Sequence, residues 1–207
     1  MKIVAALATT LLLAPGAIAQ TAAPAAPVAV SKDPTKAAPG KYTLDPEHTS
    51  IIARVGHRGG LSYSTYRFGT ASGALTWDGA DPAKSQLSVT VDTTSIMTPV
   101  PNFAATLIGD RFLKTGQFPT ATFVSKSIQK TGATTGRITG DLTFMGQTRP
   151  ATIEATMVGT TAVKGSPVIG FSGSLRFKRS DFGFTALIGP IGDEVELMLD
   201  VEFDKAA

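Results

Sequence analysis

The sequence predicts an all-β protein whose strands close into a barrel. Residues 194–204 alternate apolar and polar side chains almost without interruption, and residues 168–179 do the same. A period of two predicts a strand with one dry face and one wet face. Further alternating segments, separated by turn residues, follow one another from residue 41 onward. Their dry faces mix small and medium side chains, which suits the inside of a closed barrel that can hold a ligand.

Length and composition favour one ordinary domain and exclude several functional classes. The chain has 207 residues, which is enough for a single core. Its net charge is only +3, and no dense Lys/Arg run accompanies that charge, so nucleic acid is not an expected partner. The absence of cysteine excludes disulfides, thiolate metal sites and a cysteine nucleophile.

The N-terminal 40 residues divide into two segments that precede the predicted domain. Residues 1–19 have the pattern of a secretory signal peptide, with Lys2 as the positive start, an apolar run, and a small-residue cleavage site at 17–19. The run is shorter than the roughly 18 apolar residues that a membrane span requires. Residues 20–40 are rich in Ala and Pro without periodicity and predict a disordered tether. We therefore expect a periplasmic protein whose domain occupies residues 41–207, without stable membrane insertion.

Within the domain, a series of predicted strands is interrupted by one helical stretch. Strands are expected near residues 51–57, 66–77, 87–92, 120–130, 137–145, 153–157, 168–179 and 194–204. Gly69 and Gly73 inside the second of these mark bends in a curved sheet. Residues 101–108 predict a short helix capped by Asn102, and residues 110–114 predict another turn or two. A helix between two barrel strands typically covers one open end.

Five motifs, in order and at compatible separations, resemble the YceI-like family of exported lipid-binding proteins. They are His48-Thr49-Ser50-Ile51, Phe118-Pro119-Thr120-Ala121-Thr122-Phe123, residues 140–150, Arg179-Ser180-Asp181-Phe182-Gly183, and Gly192-Asp193-Glu194-Val195. The resemblance covers about residues 42–203. It implies an extended antiparallel eight-stranded lipocalin-like β-barrel with a short helix near one end. Members of the family are associated with polyprenyl phosphates, isoprenoid quinones or fatty amides, and no shared catalytic activity is known for them.

The chain departs from the family's common pattern at two places. Residues 103–106 read Phe-Ala-Ala-Thr where a polar Arg-Asp-x-His run is frequent, and Tyr66 stands where a small residue is common. Both departures fall where we expect the end cap or rim of the barrel.

The dry stripes predict the residues that a lipid tail would contact. The tail is expected against Ile51, Val55, Phe144, Phe171, Leu175 and Phe177, with Gly173 leaving room and with Phe103, Leu107 and Phe182 completing the set. A barrel interior must be filled by side chains or by ligand, and the aromatic residues fit either alternative. The resemblance favours ligand.

Two polar residues, His57 and Arg179, lie at the ends of the dry faces of their strands, and the role of each has two interpretations. His57 either contacts a ligand headgroup or hydrogen-bonds to neighbouring backbone at the end of its strand. Arg179 either pairs with Asp181 or a neighbouring strand, or faces a phosphate or carbonyl oxygen of the ligand, for which its planar fork of donors is well suited. His48 and His57 are nine residues apart and point to opposite faces of a regular strand, so no metal site is expected.

The favoured hypothesis is a periplasmic carrier of a long-chain isoprenoid or similar amphiphile. This lipid is the expected partner, and no cofactor is expected. A ligand-free adaptor that binds a protein through its outer face is the alternative, and a homodimer stays open. An enzyme acting on lipids finds less support, because the sequence lacks a Gly-x-Ser-x-Gly elbow, a His-Glu-x-x-His motif and a phosphate-binding loop.

Overall fold

A computed structural model describes residues 28–206 of the protein, and these residues form an all-β fold with one short α-helix. The predicted signal peptide and residues 20–27 of the predicted tether lie outside the described residues. The elements are β1 (Gly40–Leu44), β2 (Ser50–His57), β3 (Ser62–Phe68), β4 (Ala71–Trp77), β5 (Gln86–Asp92), β6 (Ile96–Met97), α1 (Phe103–Leu107), β7 (Thr120–Lys130), β8 (Thr135–Phe144), β9 (Gln147–Val163), β10 (Ser166–Lys178) and β11 (Ile191–Lys205).

Eight antiparallel strands form a closed barrel, which confirms the predicted fold. Their order is β1-β4-β5-β7-β8-β9-β10-β11, and β11 pairs back with β1. Strand β11 pairs with β1 through residues 203–205 and with β2 through residues 191–200, so β2, β3 and β6 extend the sheet from the same side of β11. Closure pairs the strand edges that an open sheet would expose.

The strand predicted at residues 66–77 is divided into β3 and β4 by a break at Gly69 and Thr70. Both backbone N–H groups at the break donate to the hydroxyl of Ser95, over 3.1 Å and 3.0 Å. Ser95 therefore satisfies the donors that leave the ladder. Before the break the chain pairs with β2 and β6, and after it with β1 and β5.

The long hairpin of β10 and β11 sets the inner and outer faces of the barrel. It pairs from Val168 opposite Asp204 to Lys178 opposite Glu194. The apolar residues of β11 face the interior, as their alternation predicts: Val195, Leu197, Leu199, Val201 and Phe203. On the outer face Glu196 accepts hydrogen bonds from Arg176 and Arg54 on the two neighbouring strands. A slip of one residue would exchange these two faces, so the register is strongly specified.

The helical stretch is shorter than the sequence predicts. Helix α1 spans five residues, and Asn102 before it has φ 61° and makes no capping hydrogen bond through its side chain. A capping side chain needs an extended backbone at that position, so the predicted Asn102 cap is wrong. Residues 110–114 form hydrogen-bonded turns instead of the predicted second helix; the N–H groups of Phe112 and Lys114 both donate to Gly109 O.

The segment before β1 differs from the predicted tether over the part that the structure describes. Ser31 pairs with Thr160 of β9 through two backbone hydrogen bonds of 2.9 Å and 2.8 Å. Residues 34–36 form a 3-10 turn, and Ala37 is only 2% exposed. Small side chains and prolines carry no periodic signal, but their backbone still supplies partners to the barrel.

Two apolar clusters lie at opposite ends of the barrel, which we call the β1 end and the α1 end. At the β1 end, Ala37 packs with Tyr42, Trp77 and Phe203. At the α1 end, residues of β6, α1 and the turns after α1 pack together; the buried members are Ile96, Leu107, Phe112 and Leu113. Among residues 28–206, no helix has the length and apolar character needed to cross a membrane.

Candidate ligand-binding cavity

A cavity of about 660 Å³ runs through the interior of the barrel. Its wall consists of inward-facing strand residues and extends from Leu75 and Trp77 at the β1 end to Phe103 and Phe184 at the α1 end. The volume lies within the range of about 300–1,000 Å³ that is typical of ligand sites. The interior is therefore not filled by the protein's own side chains.

Three small residues lie side by side on neighbouring strands and keep the cavity wide. Gly136 of β8 pairs with Ala155 of β9, and Ala155 pairs with Gly173 of β10. All three line the cavity, as does Leu199, which lies opposite Gly173 on β11. We call the first three the small-residue belt. No side chain larger than a methyl group projects from it.

Gly173 has a second role that the sequence does not indicate. A Cβ atom at this position would lie 3.1 Å from Glu154 O and 3.2 Å from Ile153 Cγ2. Both distances are shorter than ordinary van der Waals contacts, so a larger residue would press on β9 as well as on the cavity. Its predicted role of leaving room is incomplete, and Ala155 is the better position for filling the belt.

All but one of the predicted ligand residues line the cavity: Ile51, Val55, His57, Phe103, Leu107, Phe144, Phe171, Gly173, Leu175, Phe177 and Arg179. Phe182 does not line it. It is buried behind the wall, with ring centroids 5.8 Å from Phe144 and 5.2 Å from Phe177. Residues 179–182 form a 3-10 turn, and Phe182 does not share the odd parity of the inward-facing residues of β10.

The guanidinium of Arg179 is occupied by the protein itself. Its acceptors are the carbonyl oxygens of Gly192, Phe184, Ala186 and Ile191, at 2.8, 3.1, 2.7 and 3.2 Å. The residue is 2% exposed, and burial lowers the pKa of Arg179, although a guanidinium stays protonated in proteins. All four acceptors belong to residues 183–192, which comprise the loop after β10 and the first two residues of β11. Arg179 therefore holds this loop, and it bonds to neither an anion nor Asp181.

The acidic residue beside Arg179 is Asp193. Its carboxylate accepts hydrogen bonds from the backbone N–H and the hydroxyl of Ser180, over 2.9 Å and 2.7 Å. Burial alone would raise the pKa of Asp193, but these two hydrogen bonds and the charge on Arg179 outweigh it and hold the pKa below its usual value. The motif residues at 179–180 and 192–193 thus fasten the two ends of one loop.

Charged and basic side chains are scarce in the wall. Within the described chain they are His57 and Arg179 toward the α1 end and Lys130 toward the β1 end, and no Asp or Glu lines the cavity. His57 is half-buried at the end of β2, opposite Ile191. Its ring has no hydrogen bond among residues 28–206, so the backbone-bonded interpretation does not apply. The ring lies free against the cavity.

A separate group of possible metal ligands lies outside the barrel. Ligand atoms of Asp45, His48 and Glu202 come within 4.8 Å of one another at the surface. Asp45 already accepts a bond of 2.6 Å from His48 Nδ1, and its other oxygen accepts from the backbone N–H of Glu47. Asp45 and His48 belong to the turn before β2 and Glu202 to β11, and none of the three lines the cavity.

Several aromatic residues of the wall are missing from the sequence-based set, and Trp77 and Phe184 show two different reasons. Trp77 lines the cavity and packs edge-on against Phe171, with ring centroids 5.5 Å apart. It shares the parity of Leu75 in β4, so the alternation could have identified it. Phe184 lies 6.4 Å from Phe144 in the loop after β10, where no periodicity exists to predict its position.

A closed antiparallel barrel around a large apolar cavity defines the class of lipocalin-like ligand-binding barrels. Residues 42–203 match the YceI-like domain. This match spans most of the chain, and the chain belongs to the YceI-like family.

Known relatives and solved structures agree with this placement. The UPF0312 protein of Shewanella sp. strain W3-18-1 is 37% identical over 172 residues, or 82% of this chain and 90% of the relative. The crystal structure of BcnA from Burkholderia cenocepacia covers 77% of this chain and 98% of its own, with a TM-score of 0.70 and 23% identity. A polyisoprenoid-binding domain from Saccharophagus degradans covers 80% and 98%, with a TM-score of 0.58 and 14% identity. Both structures share the fold of this protein.

Proposed function

We propose that the protein binds a long-chain isoprenoid lipid or a similar amphiphile inside the barrel and acts as its carrier or buffer. The observation that carries this proposal is the apolar cavity of about 660 Å³. Burial of a lipid tail there contributes roughly 25 cal/mol per Å² of apolar surface before association costs. The polyisoprenoid-binding domain from Saccharophagus degradans has the same fold, which supports a ligand of this kind.

The headgroup is expected to be uncharged or to stay in solvent. Arg179 is already bonded to four carbonyl oxygens, and Lys130 is exposed. An isoprenoid quinone or a fatty amide therefore fits the wall better than a phosphate buried inside it, because an unpaired buried charge is costly.

A binding role is favoured over catalysis by the composition of the wall. In the described part of the chain, His57 has no carboxylate beside it in the cavity and no hydrogen-bonded nucleophile. General-base and nucleophilic mechanisms need such a partner within hydrogen-bond reach.

We also propose that the protein acts in the periplasm after removal of residues 1–19. The support is the pattern of Lys2, an apolar run and small residues at 17–19. N-terminal sequencing of the protein from the periplasmic fraction should begin at Gln20. Recovery of an unprocessed chain from the cytoplasm alone would refute export.

The first experiment is organic extraction and mass spectrometry of protein purified from its native host. A stoichiometric isoprenoid or similar lipid is expected. An empty cavity in protein that also fails to bind added lipid would refute the proposal.

The second experiment uses Trp77, the single tryptophan of the chain, as a reporter in the wall. A short-chain ubiquinone added to delipidated protein should quench its fluorescence to saturation. Ala155→Phe, which fills the small-residue belt, should weaken this binding by at least about tenfold while unfolding stability changes little. In a packed core the same substitution would cost about 1–3 kcal/mol.

The matched control is Thr156→Phe, because Thr156 neighbours Ala155 on β9 and points to the exposed outer face. It should bind the quinone as the wild type does. Equal binding by both variants would show that the belt does not contact the ligand.

A further inference from the structure

Exposed apolar side chains gather where the cavity reaches the α1 end. They are Leu61 and Tyr63 of the β2–β3 hairpin, Val100 before α1, and Leu187 and Ile188 between β10 and β11. We call these five residues the apolar rim. Leu61 is 82% exposed, and even the least exposed member, Ile188, is 43% exposed. Scattered exposed apolar residues are normal, but a contiguous group marks an interaction surface.

The segments that carry the apolar rim are connected to one another and to the cavity. The N–H of Arg58 donates to Pro190 O over 2.7 Å, which joins the β2–β3 turn to the loop before β11. The ring of Phe112 lies 6.4 Å from Phe103 of α1 and 6.4 Å from Phe184 of the same loop. Three rim residues, Tyr63, Val100 and Leu187, also line the cavity. The rim is therefore the outer continuation of the cavity wall.

The charge of these segments is one-sided. Residues 58–66, 97–109 and 183–192 contain no Asp or Glu, and their one charged residue is Arg58, which is exposed. Arg54 stacks on the ring of rim residue Tyr63 at 3.6 Å, but its charge is paired with Glu196 of β11. An anionic surface would meet the apolar side chains and the exposed guanidinium of Arg58, with no carboxylate within these segments.

The backbone of the rim segments is held in uncommon conformations. Arg58, Asn102 and Leu187, one in each segment, have φ between 50° and 61°, a region that non-glycine residues seldom adopt. Such strain persists where the surrounding structure enforces it, and it gathers at ligand-contacting sites. At Leu187, this backbone conformation accompanies a large apolar side chain that is 44% exposed.

Toward the β1 end, the exposed apolar residues do not line the cavity; they are Val28, Val30, Val158 and Val163. The lining residues there include Gln129, Lys130 and Thr134, at the tip of the β7–β8 hairpin, and the segment before β1 covers Trp77. An apolar medium would therefore meet the barrel at the α1 end.

We propose that the apolar rim docks on the surface of an anionic phospholipid bilayer and that a lipid enters and leaves the cavity there. This inference rests on the proposed function for its biological purpose, but the docking itself requires no bound ligand. Shallow insertion of aliphatic and Tyr side chains, with Arg groups at the headgroup level, is the mode of an interfacial protein. Acidic lipids strengthen such docking by attracting basic residues.

The test is flotation of the whole purified protein with vesicles of phosphatidylethanolamine and phosphatidylglycerol. The rim variant is Leu61→Glu with Ile188→Glu, since neither residue lines the cavity. The control is Val124→Glu with Val163→Glu, which changes charge equally at two exposed positions on β7 and β9, 50% and 51% exposed. We expect wild type and control to float with the vesicles and the rim variant to lose at least about tenfold in partitioning.

Three results would overturn the docking proposal. These are a wild type that does not float, a rim variant that floats as well as the control, and a wild-type dimer that the rim variant dissociates without any vesicle binding. Fluorescence quenching by the short-chain ubiquinone in detergent keeps the two proposals separate. Absence of quenching in the wild type would refute lipid binding in the cavity. Vesicle flotation tests the docking independently of that result.

Discussion

At the scale of single residues, buried ionisable groups of this barrel serve its architecture more than its ligand. Arg179 lies on the wall of the cavity, but its donors are directed to four carbonyl oxygens of residues 183–192. This loop carries Leu187 and Ile188 of the apolar rim. The arginine therefore fixes the position of the loop that carries these two rim residues.

Replacement of Arg179 by Met is expected to destabilise the protein. The change leaves buried carbonyl oxygens without donors, and hydrogen bonds to a charged group contribute about 1.5–3 kcal/mol each, so a loss of at least about 2 kcal/mol in the free energy of unfolding is expected. Urea denaturation at constant m-value measures it.

Arg176→Met is the matched control for this change. Arg176 forms an exposed ion pair with Glu196 at 2.6 Å, and such pairs contribute only about 0–1 kcal/mol. Equal effects of the two substitutions would contradict the structural role of Arg179.

His48 gives the protein a local dependence on pH. Its bond to Asp45 and the negative charge of Asp45 raise the pKa of His48 above its usual 6.5, and the same bond lowers the pKa of Asp45 below 3.8. The raised histidine pKa adds stability that is complete below pH 6.5 and is lost as the pH rises through the folded value. The lowered Asp45 pKa adds stability that is present above pH 3.8 and is lost as the pH falls.

His48→Gln should therefore lower the melting temperature between these two pH values and have no effect once the pH exceeds the folded pKa of His48. NMR titration of the imidazole should give a pKa above 6.5, and Asp45→Asn should return it toward that value. An unchanged titration in Asp45→Asn would disprove the pairing.

At the scale of elements, the segment before β1 behaves as part of the barrel. Ser31 pairs with β9, Ala37 is buried, and the indole of Trp77 donates to Pro34 O over 3.4 Å. Deletion of residues 28–39 removes these contacts. Loss of about 2 kcal/mol, as expected for several hydrogen bonds, lowers the melting temperature by about 4–8 °C in a domain of this size.

Differential scanning calorimetry checks this expectation against a shorter deletion of residues 20–27. The shorter deletion spares Ser31 and all contacts described above, so its melting temperature should match that of the full mature chain. A deletion of residues 28–39 that melts with the control would show that the segment contributes nothing to stability.

At the scale of the whole molecule, an open cavity couples lipid binding to stability. A ligand that binds only the folded state at about 100 times its Kd adds about 2.7 kcal/mol to the free energy of unfolding. For a domain of this length the melting temperature should rise by about 5–11 °C. Thermal unfolding with a short-chain ubiquinone measures the shift in the wild type. Ala155→Phe should show little shift, and a full shift in this variant would place the ligand elsewhere.

Alternation along the chain predicts the strands and their faces over most of the barrel. A period of two is a local property, so the inward residues of β10 and β11 follow from alternation alone. The same argument placed the predicted cavity residues of β2, β8 and β10, whereas Phe103 and Leu107 were expected in the helical stretch. Phe182 has an even number, outside the odd parity of the inward residues of β10, and it lies in a 3-10 turn where no period of two applies.

Contacts between distant parts of the chain were decided only by the tertiary structure. The parity of Arg179 pointed inward, but its acceptors exist only because residues 183–192 fold back over it. The segment before β1 has no pattern of its own and is ordered by Thr160 and Trp77. The apolar rim likewise joins three segments that are far apart in sequence. Alternation reports which way a side chain faces, whereas its partners depend on how the whole barrel closes.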